Sequence, residues 1–373
     1  MRRSDEIIFI GLSITSSWRN GHAATYRALI HGLHRLGQKV LFLERDRPWY
    51  ASNRDAPVLS YCQSRLYLDV DELRARYTPR IRAAAAVIVG SGVEDGRDVC
   101  DWVLDHAAGV KAFYDIDAPA TLASLQNDSC KYLRASHVPA FDVLLSFAGG
   151  STLQRMEREF GARRARRLYC SVDLELHRPT GSRRDVDLGY LGSYSDDSQP
   201  ALEQLLNEPA RRLPKHRFAV AGAEYPSRLV WPKNVQRIDH MLPGSHAPFY
   251  CRQRFSLHLT GADMRQGSCS PGVSLLEAAA CGTPIISDDW DGIDELLEPG
   301  KEILLAHSAE EMTQYLESID DAQAGQIAAA ARERVCARDS SVTRAGELMR
   351  HLAIAREPSV RSEIVGERVV AAS

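Results

Sequence analysis

Ser270, Ser274 and Glu277 stand four and then three residues apart in the stretch SCSPGVSLLEAAACGTPIISDDWDGIDELL, the spacing that puts side chains on one face of a helix. Ser270 is a good N-cap, Pro271 suits the first helical position, and Gly282 stands where a left-handed residue ends a helix. The pattern predicts a helix from about Pro271 to Cys281. Free N–H groups and the positive dipole end from Ser270 to Gly272, with Val273 in the same turn, suit a phosphate, and Gly272 lets a ligand approach the backbone closely. Glu277 follows roughly 10 Å along, at about 1.5 Å per residue. Phosphates at the helix start and ribose hydroxyls at the carboxylate would together hold a nucleoside diphosphate. The plainer reading is a capped helix whose glutamate faces solvent.

Acid–base chemistry is offered elsewhere. Asp115 and Asp117, in YDIDAP, end a strand whose alternation sends both to one side, and Asp117 is the preferred general base for a hydroxyl. His22 follows Asn20 and Gly21 after the first strand; it could act as a base or a hydrogen-bond donor, or simply start a helix at the surface. Three loops at strand ends are candidate ligand walls: Gly192, Ser193 and Tyr194; the run around Gly222; and Asp239 to Pro243, which includes Met241. Open α/β sheets bind ligands at such ends, although each could be an ordinary loop. Arg265 is the best remaining cation for a diphosphate, with a solvated loop arginine as the alternative. Asp288 and Asp289 are adjacent rather than alternating, so no metal is expected. Arg163, Arg164, Arg166 and Arg167 read as a solvated turn, or as contact with an anionic acceptor or an anionic membrane surface.

These groups need a scaffold that gathers strand ends, and the chain supplies one by alternating short apolar runs with helical spacings. Ile7 to Ile14 reads as a buried strand; Ala24, Leu29, Leu33 and Leu36 then recur at helical spacing until Gly37. Lys39 to Leu43, Ala85 to Gly90, Lys111 to Tyr114, Val143 to Phe147 and Leu168 to Val172 are further strands of the first half. A polar linker, DLELHRPTGSRRDVD, precedes a second series: Leu188 to Leu191, Phe218 to Ala221, Val235 to Ile238, Ser256 to Thr260 and Pro284 to Ser287, and after Ile303 to Leu305 the chain turns helical. Helices are expected over 309–319, 322–336 and 341–355. The expected fold is α/β, with two Rossmann-like domains whose parallel sheets face a central cleft. Residues 1–175 form one domain and 185–355 the other, with a polar tail at 356–373 that could cross back onto the first.

At 373 residues, 44% apolar and 25% charged, the chain can bury two large cores. A net charge of −3 and the lack of a basic-aromatic cluster argue against a nucleic-acid partner. Eight cysteines without CxxC pairs fit reduced thiols and a cytoplasmic location. IIFIGL is too short for a secretory leader, and no apolar run nears the roughly 18 residues of a membrane span. Oligomeric state is not encoded in any pattern here.

EAAACGTPIISDDWDGIDELLEPGKEIL resembles the C-terminal signature of CgeB-like glycosyltransferases, related to glycosyltransferase family 4. GLSITSSWRNGHAATYRALI, LFLERDRPWYASNRD, FYDIDAP and DLGYLGSYSDDSQPALEQLL are similar to other blocks of that family, so the resemblance spans most of residues 7 to 320. It implies the GT-B architecture, a nucleotide-sugar donor (UDP favoured over TDP or GDP) on the C-terminal domain, a hydroxyl acceptor, no metal or other cofactor, and a retaining outcome. Family 4 carries two glutamates eight positions apart. Glu277 matches the second, which contacts the donor ribose, while the first falls on Cys269, where this chain departs from the family. A GT-B sugar-nucleotide epimerase and a non-catalytic sugar-nucleotide-binding protein are the competing readings.

Overall fold

Strands buried on both faces must be apolar throughout, and the run IIFIG, all five residues of which are buried, is such a strand. The computed structural model describes residues 4–261 and 272–357. Its first sheet comprises β1 (Ile7–Gly11), β2 (Val40–Arg45), β3 (Gln63–Tyr67), β4 (Ala86–Gly90), β5 (Val110–Asp115), β6 (Val143–Ser146) and β7 (Ala165–Arg167), in the order β3-β2-β1-β4-β5-β6-β7. The second comprises β8 (Val186–Leu191), β9 (Phe218–Ala221), β10 (Val235–Ile238), β11 (Gln253–His258), β12 (Ile285–Ser287) and β13 (Leu304–Leu305), ordered β10-β9-β8-β11-β12-β13. Every pairing is parallel. In each sheet the order reverses beside the first strand, between β1 and β4 and between β8 and β11, which opens a crevice at the strand ends.

Two edges differ from expectation. The last strand of the first sheet is Ala165–Arg167 rather than Leu168 to Val172. Part of the arginine run is thus an edge strand and not a turn: Ala165 is buried and Arg166 and Arg167 point out. Arg163 reaches Asp142 at 3.4 Å and Arg166 reaches Glu157 at 3.2 Å, charged decoration of the kind that keeps an edge from pairing with another chain. At the other edge, β3 exposes alternate residues, and its polar sequence QSRLY hides it from a search for apolar runs.

The final helix, Ser341–Ala355, was expected with the second half and lies on the first, packed along the helix His22–Arg35. Gly32 makes this close approach possible, because a Cβ there would sit 2.0 Å from the Ser341 carbonyl oxygen. Where the chain returns, the Val172 N–H donates to Asp339 O at 3.0 Å and the Ser341 N–H to Val172 O at 2.9 Å. Arg344, buried at this joint, pairs with Asp339 at 2.7 Å and also with Glu347. Among the described residues, no helix is long and apolar enough to cross a membrane.

Candidate active site

The loop after β1 is built by a carboxylate from the neighbouring strand. Glu44, opposite Gly11 in the β1–β2 register, is fully buried. It accepts from the Ser13 and Thr15 hydroxyls at 2.8 and 2.7 Å and from the Ile14 and Thr15 N–H groups at 2.8 and 3.0 Å. Asn20 closes the other end, donating to the Ser13 and Ser16 carbonyls at 3.1 Å each and accepting from the His22 N–H. Arg27 adds a bidentate pair with Asp55, 2.7 and 3.0 Å. These bonds present Trp18, Arg19, Asn20 and Gly21 toward the second half.

Between the halves lies a cavity of about 420 Å³. Of the residues singled out in the sequence, Gly21 lines it from the loop after β1, and Gly192, Ser193, Gly222, Met241, Val273 and Glu277 line it from the ends of β8, β9 and β10 and along the helix Val273–Ala280. Gly222 and Gly192 touch back to back. Gly222 has φ +153°, and a Cβ on it would stand 1.9 Å from the Gly192 carbonyl oxygen, so only glycine lets the two loops meet. Across the cleft, Arg19 pairs with Glu224, and the Trp18 ring meets the His240 ring edge-on at 4.9 Å. Arg19 and Glu224 both hold left-handed backbones, φ 51° and 70°. Such strain costs of order 1 kcal/mol or more and survives only where the surroundings fix it.

Glu277 is buried at the cavity floor, 5% exposed. Tyr250 donates to it at 3.2 Å, His246 Nδ1 lies 3.2 Å away, and His177 Nε2 stands 3.3 Å off, close enough for an ion pair but out of line for a hydrogen bond. Burial works against its charge, but His177, His246 and Tyr250 outweigh burial and hold its carboxyl below the usual range. His246 responds in the opposite direction: burial disfavours its proton, yet the Glu277 hydrogen bond and charge hold it above the ordinary histidine value.

Next to Gly21, on the first half, His22 Nε2 lies 3.0 Å from Asp117 Oδ1. Asp117 is 37% exposed at its side chain. Burial raises its carboxyl, and the bond and charge of His22, with a hydrogen bond from Ser91, more than reverse this and hold it below the usual carboxylate range. Asp115 is different. It is 1% exposed, its Oδ1 accepts from Thr121 at 2.6 Å, Oδ2 has no partner, and burial pushes its carboxyl up to about 7.

Other expected residues lie off the cavity. Tyr194 donates its hydroxyl to Asp196 at 2.5 Å and packs edge-on against Tyr225. Ser274 turns to His258 Nδ1, 3.4 Å away, and Gly272 lies against the same ring. Burial depresses His258 to about 4. Arg265, Cys269, Ser270 and Pro271 lie outside the described residues. Glu224 and His240, in the two wall loops expected from the sequence, also line the cavity, whereas reading the sequence missed Trp18, Arg19, His177 and His246, which line it too. His177 sits in the presumed linker and His246 at the start of a short helix, Glu277 following 100 and 31 residues later, so no spacing links them.

Residues 199–350 match the family described as glycosyl transferase-like. No curated protein sequence matches the chain. Among solved structures it is similar to HepE from Anabaena, in complex with UDP and glucose, at TM-score 0.67 and 14% identity, covering 94% of this chain and 99% of that one. An α-glucosyltransferase in complex with UDP and a 13-mer DNA containing an HMU base aligns at TM-score 0.73 and 13% identity, over 93% and 99% of the two chains. Sucrose-phosphate synthase from Thermosynechococcus elongatus gives TM-score 0.63 and 16% identity over 94% and 100%. The fold is GT-B. In GT-B terms, the cavity is the interdomain cleft, with Glu277 on its C-terminal wall and Trp18 to Gly21 on its N-terminal side, while His22, Asp115 and Asp117 lie beyond its lining.

Proposed function

We propose that the protein is a CgeB-like glycosyltransferase, related to family 4, that moves a sugar from a nucleotide-diphosphate donor, UDP favoured, to the hydroxyl of a glycan, lipid-linked or small-molecule acceptor. The observation that carries the reading is Glu277: an ionised carboxylate at the floor of an interdomain cleft, on the helix whose start offers backbone N–H groups. The ribose hydroxyls bond to Glu277, and the diphosphate lies against the Gly192–Ser193 loop and the start of the 273–280 helix, where N–H dipoles stabilise the charge that builds on the leaving group. Transfer needs no metal in this scheme. Asp117 takes the acceptor proton, with His22 keeping it charged and oriented; a depressed carboxyl is a weak base, which suits a transition state in which proton loss comes late. Asp115, sealed from solvent, positions Thr121 and acts through the strand end. The Arg19–Glu224 and Trp18–His240 contacts wall the cleft against water. We favour a retaining course and a cytoplasmic location, the latter in keeping with seven free thiols among the described residues. The DNA belongs to the similar glucosyltransferase; a net charge of −3 favours a different acceptor here.

Incubation with a panel of nucleotide sugars and acceptors tests this reading. Release of UDP with a glycosylated acceptor supports it. Sugar interconversion without release would establish an epimerase, and saturable binding without turnover a sugar-nucleotide-binding protein.

A further inference from the structure

His177, His246 and Glu277 each offer one ligand atom, and the three atoms all lie within 4.8 Å of one another. His177 Nε2 lies 3.3 Å from Glu277 Oε1, and His246 Nδ1 lies 3.2 Å from Oε2, the other oxygen of the same carboxylate. Ligands around a small tetrahedral cation, bound at about 2.0–2.2 Å, are separated by roughly 3.3 Å, a spacing that each histidine already has to one oxygen of the carboxylate. His177 supplies an independent observation. It is 7% exposed, and neither of its ring nitrogens has a hydrogen-bond partner, although Nε2 lies 3.3 Å from the Glu277 carboxylate. A buried imidazole left without bonds costs about 1–3 kcal/mol, and an unbonded ring nitrogen beside two other donor groups is what a metal would use. Outer support is present as well. His246 bonds the Met241 backbone, and Tyr250 donates to Glu277, the kind of second layer that orients metal ligands. All three residues line the cleft, so the fourth coordination position faces the cavity.

We propose that His177, His246 and Glu277 form a site for a zinc-class divalent ion whose occupation competes with the nucleotide. Two imidazoles and one carboxylate with an open fourth position match the donor preference of Zn²⁺ and Co²⁺ rather than of Mg²⁺ or Ca²⁺, which take oxygen ligands. Competition rests on the reading of Glu277 as the ribose ligand: its Oε1 faces His177 and its Oε2 faces His246, so an ion held between the histidines draws on both oxygens that the diol would use. The ion therefore inhibits transfer and has no part in it.

The full-length protein is titrated with Co²⁺ alone, and with Zn²⁺ alone by calorimetry. The expected result is one equivalent bound with the intense visible bands of tetrahedral cobalt. His177→Ala and His246→Ala should each weaken binding at least about tenfold, the scale at which even outer-layer partners matter. No tetrahedral spectrum on the wild-type protein would overturn the site without recourse to any variant. Uridine, which carries the diol and no chelating phosphates, is then titrated in chelator and in saturating Zn²⁺. Weaker uridine binding in zinc supports competition, and equal binding overturns it. Uridine affinity in chelator that is the same for Glu277→Gln and wild type would instead remove the ribose reading, an outcome separate from failure of the metal site.

Discussion

Replacing Glu277 with glutamine keeps the shape of the side chain and removes its charge. If the ribose bonds to this carboxylate, UDP loses a charged hydrogen bond, about 1.5–3 kcal/mol, which is roughly a 10- to 150-fold rise in Kd. The same substitution disturbs the ion pairs at the cleft floor, and two titration shifts say at which pH. The Glu277 carboxyl lies below its ordinary range, against burial and because of His177, His246 and Tyr250. Its stabilisation is present above the unfolded carboxyl value of about 4.3 and is lost as pH falls through the lower folded value. His246 lies above its ordinary value, against burial and because of Glu277. Its stabilisation is complete below about pH 6.5 and is lost as pH rises through the higher folded value. The stability gap between wild type and Glu277→Gln should therefore be widest between about pH 4.5 and 6.5 and narrow toward pH 8. Loss of one partner from a buried pair costs about 3–5 kcal/mol, an upper bound here because glutamine keeps an acceptor oxygen. Calorimetry with UDP at pH 7 in chelator reads the first effect, and thermal unfolding from pH 4 to 8 reads the second. Unchanged UDP affinity in a folded variant would falsify the ribose role, and a gap independent of pH would refute the ion-pair account.

Asp117→Asn should reduce turnover about 10²- to 10⁴-fold and leave UDP affinity within twofold of wild type, as read by UDP release and calorimetry; full activity removes the base. Glu44→Ala strands four buried donors in the loop after β1, so urea unfolding should show a loss of at least about 3 kcal/mol at roughly 1–3 kcal/mol per unsatisfied group; a loss under about 1 kcal/mol contradicts the pinning role. Gly222→Ala forces a Cβ onto the Gly192 carbonyl at a φ of +153° and should lower both thermal stability and UDP affinity; wild-type values for both would mean that the two loops need not touch. Arg19→Ala removes a pair whose side chains are 62% and 41% exposed, so chemical denaturation should move by less than about 1 kcal/mol; a larger loss would make the bridge a structural clamp.

Central strands were legible because a strand covered on both faces has to be apolar, and helix ends were legible where caps mark them: Ser341–Ala355 falls on the predicted boundaries, with Ser340 as its side-chain cap. Edge strands were not. The three-residue strand ARR and the alternating QSRLY have their polarity set by solvent on one side, and no apolar run announces them. The second-half wall of the cleft was readable because its glycines and Glu277 sit at strand ends or at one helical spacing. The histidines around Glu277 come from three separate segments that meet only in the folded chain. Alternation placed Asp115 and Asp117 together, yet gave no sign that one would be sealed from solvent and the other left open, since that depends on Thr121, Tyr132 and His22 packing around them.

The return of the last helix makes the first half a discontinuous unit, with the second half spliced into it as an insert. Both splice points sit at one place, where Val172 is bonded to Asp339 and Ser341. A fragment cut at residue 175 would therefore lack the helix that packs along His22–Arg35 at Gly32 and would leave that helix face open to water. Joining residue 172 directly to residue 341 would instead restore that packing with no spacer, because the two ends already touch. The boundary of this domain is a spatial one, and any dissection of the protein has to follow it across the sequence.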